Sequence, residues 1–232
     1  VAEEFGLWFH IDGAYGALAA LDESKQDLFK GIERAHSISL DPHKWLYTPI
    51  DCGCLLFRDE RLARKAFSAN EADYIKVHEQ EPDESFAFWD YGVELSRRFR
   101  ALKIWMTLRY YGARRIAAAI AGDNSLAQYL GEQVNSAVDF ELLAPVELSI
   151  CCFRYLPEHL RESGNSNGGA LDDFNTRLMH AIQRGGDAYL SNATVNGKFA
   201  LRVCITNFRT ARADIDATLA VIRKTAADLQ PN

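Results

Sequence analysis

The stretch Ser37-Ile38-Ser39-Leu40-Asp41-Pro42-His43-Lys44-Trp45 decides the reading of the fold. Its first four residues read as a short buried strand. Pro42 then removes a ladder donor and bends the chain, so Lys44 is delivered just beyond the strand's carboxyl end. A second run, Trp8-Phe9-His10-Ile11-Asp12-Gly13-Ala14-Tyr15-Gly16, has the same design and delivers Asp12. Residues 7–11 form a continuous apolar run, as expected of a strand buried on both faces. Open α/β sheets place their ligands at the carboxyl ends of their strands, so the two ionisable residues are expected to meet there.

Around these runs the pattern is that of an α/β layer. Residues 24–34 space Leu28 and Ile32 like a helix, residues 52–57 read as a third strand, and residues 59–67 as a helix that Asp59 is able to cap. The third strand follows the second too closely for a helical crossover and is expected to pair antiparallel. Residues 68–91 break the pattern, with many acids among scattered aromatics. Long irregular stretches inside a compact domain are usually functional or disordered. Residues 96–111 predict a strongly amphipathic helix, and a second helix follows from about Arg114 to Ser136. Beyond it, strands at 138–143, 148–155, 188–191 and 199–205 alternate with helices at 171–184 and 212–229, around a Gly/Asn-rich loop at 163–169. The expected division is a part of a large α/β domain over 1–112 and a small α+β domain over 113–232.

Composition narrows the function classes. Of 232 residues, 48% are hydrophobic and 25% charged, which is ordinary for a globular protein. A net charge of −6 argues against a broad nucleic-acid-binding surface. No apolar run approaches the roughly 20 residues that span a bilayer. The start Val1-Ala2-Glu3-Glu4 does not read as a leader. It has no initiator methionine and reads as a helix end entering a strand, so the chain is expected to be a piece of a longer subunit. Five cysteines lie in apolar, strand-like runs and are expected to be reduced, buried thiols of a cytoplasmic protein. The Cys52/Cys54 pair lacks a second pair at zinc-ligand spacing, so no metal site is expected.

A lysine after a strand is ordinarily a solvated charge, and an aspartate there ordinarily caps a turn. Convergence changes both readings. An amine in a crevice is suited to forming a Schiff base with an aldehyde, and a carboxylate beside a pyridine nitrogen keeps that ring cationic. Pyridoxal 5'-phosphate requires both groups. Gly13 and Ala14 carry almost no side chain, so a flat ring is expected to pack on that backbone.

The same residues closely resemble the group II pyridoxal-phosphate-dependent amino acid decarboxylases, the family of aromatic-L-amino-acid, histidine and tyrosine decarboxylases. The lysine signature of that family is met by Ser37, Lys44, Trp45-Leu46, Cys52 and Arg58. The segment His10 to Tyr15 resembles its cofactor-aspartate run, and the likeness continues through residues 97–103 and 199–203. The resemblance covers essentially the whole chain but only the C-terminal half of a family subunit, and it implies the type I fold of aspartate aminotransferase. It further implies that Lys44 holds the cofactor covalently, that Asp12 pairs with the pyridine nitrogen, and that Ala14 and His43 lie against the cofactor. Asp41 stands near the phosphate where many relatives have asparagine. Tyr74, within the irregular segment, aligns with the loop tyrosine that protonates the substrate carbon after CO2 leaves. Ser96 aligns with a residue that approaches the phosphate of the neighbouring subunit in a homodimer. The implied activity is decarboxylation of an L-amino acid, most simply an aromatic one. Aldehyde synthesis, decarboxylation of an acidic or diamino acid, and a non-catalytic dimerising fragment stand as alternatives.

Overall fold

The computed structural model describes residues 1–67, 87–162 and 168–229. The chain divides into two compact units, Val1–Ala113 and Arg114–Asn232.

The first unit is built on a three-stranded sheet of order β1-β2-β3, with β1 His10–Asp12, β2 Ser37–Leu40 and β3 Cys54–Phe57. β1 and β2 run parallel, with Asp12 opposite Ser39, and β3 returns antiparallel with Cys54 opposite Leu40. α1 (Pro42–Trp45) starts directly after β2 with Pro42 in its first turn, where a missing amide hydrogen costs nothing. α2 (Glu60–Phe67) is preceded by Asp59, whose Oδ1 accepts from the Arg61 amide at 3.0 Å. α3 spans Arg100–Tyr111 and ends at Gly112, which sits at φ 76°.

Three expectations for this unit are corrected. The 24–34 segment is not an α-helix. It forms 3₁₀ turns at Glu23–Phe29 and Ile32–Arg34, after another at Gly16–Leu21. Asp22 accepts from the Ser24 amide at 3.0 Å and Gly31 sits at φ 92°, so the run is cut into pieces too short for a stable α nucleus. The apolar run before β1 is not buried on both faces: Leu7 and Trp8 are about half exposed, and among the described residues β1 pairs only with β2. The amphipathic helix begins at Arg100 rather than Ser96, and of its residues only Thr107 is buried, while Phe99 just before it and Trp105 within it are mostly exposed.

In the second unit α4 (Ala113–Ser136) leads to a four-stranded antiparallel sheet of order β4-β5-β7-β6. Its strands are β4 Phe140–Leu142, β5 Ile150–Tyr155, β6 Ser191–Val195 and β7 Lys198–Cys204. α5 (Glu158–Glu162), α6 (Gly168–Gly185) and α7 (Arg212–Asp228) complete it. Leu130, Phe153, Leu178, Ile182, Leu201 and Ile222 meet in one core. Each such side chain contributes about 1.5–3 kcal/mol by leaving water. β6 lies later than the expected 188–191 because Asn196 and Gly197, at φ 50° and 76°, form a two-residue hairpin turn that pairs Val195 with Lys198. The thiols are free, but burial is uneven. Cys52 and Cys151 are buried, whereas Cys204 is exposed at the end of β7, contrary to expectation. Burial pushes the Cys151 thiol up to about 12, so it stays protonated and inert.

α6 is fastened to β5 by a fully buried Asn175. Its Nδ2 donates to the carbonyls of Tyr155 and Leu171, each at 2.9 Å, and its Oδ1 accepts from the Tyr155 amide at 2.8 Å. Asn175→Ala would leave both backbone groups of Tyr155 without a partner in the interior. It should lower unfolding free energy by about 2–4 kcal/mol, measured by urea denaturation.

Candidate active site

The parallel register of β1 and β2 sets the site. Because Asp12 faces Ser39, the Ser39 hydroxyl donates to Asp12 Oδ1 at 3.1 Å, and the Ala14 amide donates to the same oxygen at 3.1 Å. The Ala14 bond first and the Ser39 bond second, with smaller pulls from His10 and Lys44, hold the Asp12 carboxyl below the ordinary aspartate range. Asp12 is exposed, so an anion is presented to whatever enters.

The turn after β2 is tied to the turn after β1. The Asp41 amide donates to the Ala14 carbonyl at 3.2 Å. The Tyr15 and Trp45 rings stack with centroids 4.9 Å apart and planes 5° from parallel. Trp45 is fully buried, which anchors α1 and leaves its neighbour Lys44 on the exposed side. Lys44 Nζ pairs with Asp41 Oδ2 at 2.7 Å. His43 Nδ1 lies 2.7 Å from the Cys52 carbonyl and 3.2 Å from the Cys52 amide. Those two contacts require opposite tautomers. The shorter favours Nδ1–H donating to the carbonyl, which leaves Nε2 as the ring's acceptor.

Asp12, Ala14, Asp41, His43 and Lys44 are thus gathered at one end of β1 and β2. Ser96 is exposed on the segment leading into α3, and Tyr74 lies outside the described residues. One expectation is corrected: Gly13 does not leave an open face for a ring. A Cβ there would stand 2.4 Å from the Ala17 Cβ and 2.9 Å from the Ser39 carbonyl oxygen, so the chain itself fills the space. Only Ala14 is left to offer a small surface. Sequence reasoning gave Ser39 no role, although its two-residue spacing from Ser37 marks it as facing the same way. Ser37 itself accepts from Trp8 Nε1 at 2.9 Å and lies 2.7 Å from His10 Nδ1, a structural duty for the first serine of the signature.

The donor set fits pyridoxal phosphate. An anionic carboxylate is available for a cationic ring nitrogen and an exposed amine for an aldehyde, while Asp41 pairs with Lys44 as long as that amine is free. A lysine and a carboxylate so placed at the carboxyl ends of neighbouring strands are what the pyridoxal-phosphate class of enzymes requires. Comparison with known proteins makes the assignment particular. Residues 1–156 match the pyridoxal-dependent decarboxylase conserved domain, and the chain belongs to that family. It is 35% identical over 223 residues to an aromatic-L-amino-acid decarboxylase of Bacillus atrophaeus, covering 96% of this chain and 45% of the relative. It is 32% identical over 227 residues to a phenylacetaldehyde synthase of Petunia hybrida, covering 97% and 45%. The crystal structure of Oryza sativa TDC with PLP and tryptamine superposes with a TM-score of 0.88 at 30% identity, covering 99% of this chain and 46% of that one. The chain therefore shares the type I fold of these decarboxylases and spans about half the length of the relatives it matches.

Gly13→Ala should force β1 from β2 and displace Asp12 from Ser39. A loss of about 1–3 kcal/mol in unfolding free energy is expected from the overpacking, read by chemical denaturation. Weakened binding of pyridoxal phosphate, read by fluorescence titration, should accompany it.

Proposed function

We propose that this chain forms the lysine-bearing part of a pyridoxal-phosphate-dependent enzyme that converts an aromatic L-amino acid to its amine and CO2. The observation that carries the reading is the delivery of Asp12 and Lys44 to the same end of two parallel, hydrogen-bonded strands. Residues 1–112 would belong to the large cofactor-binding domain and residues 113–232 to the small C-terminal domain.

Bound pyridoxal phosphate supplies an aldehyde that captures amines and a cationic ring that withdraws electrons from the bond being broken. Lys44 would hold that aldehyde through its Nζ. Asp12, kept anionic by Ala14 and Ser39, holds the proton on the ring nitrogen. Ala14 gives the ring a small surface to lie on, and His43 offers Nε2 beside Lys44. Asp41 receives the Lys44 ammonium when the amine is free. Tyr74 would supply the proton that replaces CO2 on the substrate carbon, and Ser96 would face the phosphate of the second subunit in a homodimer. A cytoplasmic location agrees with the five free thiols. The names of the relatives, an aromatic-L-amino-acid decarboxylase among them, support an aromatic substrate.

A second reading is aldehyde synthesis, favoured by the likeness to a phenylacetaldehyde synthase. Product analysis separates the two: amine with CO2 in the first, aldehyde with ammonia and peroxide in the second.

Borohydride reduction in the presence of pyridoxal phosphate should label Lys44, found by peptide mass. Lys44→Ala should abolish the label, and an equal label on another lysine would remove Lys44 from its role. Tyr74→Phe should leave labelling intact and shift products from amine toward aldehyde by about tenfold or more. Amine production at the wild-type level would exclude Tyr74 as the proton donor.

A further inference from the structure

The loop between α1 and β3, residues 46–53, begins two residues after Lys44, with Pro49 and Ile50 exposed and Thr48 and Cys52 buried. Its grip comes from the entry of α3, some fifty residues later in the chain. Lys103 Nζ donates to three consecutive carbonyls of the loop, Pro49 at 3.4 Å, Ile50 at 3.2 Å and Asp51 at 3.0 Å. Arg100 Nε donates to Asp51 Oδ2 at 3.1 Å, and Arg98 Nη2 to Asp51 Oδ1 at 2.7 Å. Glu94 takes the other side of the Arg100 guanidinium at 2.9 Å and 3.4 Å, which fixes its plane. The next loop residue, Cys52, points its thiol at the Arg100 carbonyl at 3.7 Å. Cys52 is also the residue whose backbone holds His43, through the His43 ring and through the His43 amide at 3.4 Å. Thr48 closes the same turn by donating its amide to the Pro42 carbonyl at 3.1 Å.

Exposure sorts these contacts. Arg98 is 72% exposed, so solvent screens its bond, whereas Arg100 and Lys103 are 24% and 31% exposed. Charge-assisted bonds in such partial shelter hold better than open surface pairs. From this arrangement we propose that Arg100 and Lys103 are positioning residues for Lys44: they clamp the 46–53 loop, the loop holds Cys52, and Cys52 holds His43 and the helical turn that bears Lys44. The proposal rests on the reading of Lys44 as the cofactor lysine only for its catalytic consequence; the mechanical link is independent of it. Neither Arg100 nor Lys103 touches cofactor or substrate in this scheme.

The test uses the full chain with Lys103→Met and Asp51→Asn, each compared with the wild type by amide hydrogen exchange and by borohydride labelling of Lys44. Exchange at His43, Lys44 and Thr48 should speed up by about five- to tenfold in both variants, while the β2 amides of residues 37–40 keep their protection. Lys103→Arg, which retains a cation with several donors, should restore most of the protection. Labelling of Lys44 should slow by a similar factor. Unchanged exchange at His43, Lys44 and Thr48 would overturn the clamp. So would acceleration spread equally over β2, since that is general destabilisation. If the wild type takes no label at Lys44, the cofactor reading fails instead, and the exchange data still decide the clamp.

Discussion

The site depends on one constraint, the parallel pairing of β1 with β2 in the register that sets Asp12 against Ser39. A shift by a single residue would turn every side chain of β1 to the other face. Asp12 would lose the Ser39 hydroxyl, and the Asp41 amide would lose the Ala14 carbonyl. Gly13 permits this register, because the close approach of Ser39 and Ala17 leaves no room for a Cβ. The stack of Tyr15 on Trp45 then carries the alignment beyond the strands into the turn bearing Lys44. Backbone pairing, one absent methyl group and one aromatic contact therefore cooperate to place a carboxylate and an amine.

The two units rely on different forces. The second closes an apolar core between its sheet and helices α4, α6 and α7, and uses Asn175 to satisfy a buried strand end. The first has a small sheet and instead ties its loops with polar contacts. Arg58 donates from Nη2 to the Glu33 carbonyl, Arg64 pairs with Asp90, and the α3 cations hold the loop after Lys44. Ionic and hydrogen-bonded ties of this kind add little stability each, but they fix direction more sharply than apolar packing does. That suits a unit whose strand ends must present chemistry.

Much of this was legible in the sequence, for identifiable reasons. The runs ending at Asp12 and Lys44 were readable because a short apolar strand followed by Gly or Pro punctuation is a local signal. The antiparallel return of β3 followed from connection length alone. Residues 24–34 misled because Leu28 and Ile32 have helical spacing, while the deciding groups, Asp22 and Gly31, act through capping and backbone conformation. The hairpin after β6 was missed although Asn196-Gly197 states it plainly. Contacts across long separations left no local trace: nothing in residues 46–53 announces that Lys103 will gather three of their carbonyls. The spacing of Ser39 from Ser37 marks its facing, but its bond to Asp12 exists only once β1 lies beside β2.

Asp41 raised a conflict in the sequence, an acid where a phosphate was expected. Its observed partner is Lys44, and the strength of that pair can be judged from its exposure. The side chains of the pair are 44% and 26% exposed, and ion pairs in such surroundings contribute about 0–1 kcal/mol. A fully buried pair would cost several kcal/mol to separate and would keep the amine from reacting. A weak pair does the opposite. It orients Nζ toward the strand end shared with Asp12, neutralises the acid while the amine is free, and can be opened at less cost than a single good hydrogen bond. The lysine is thereby held in place without being locked, which is the property a residue needs if its amine must bind an aldehyde, release it to a substrate and take it back.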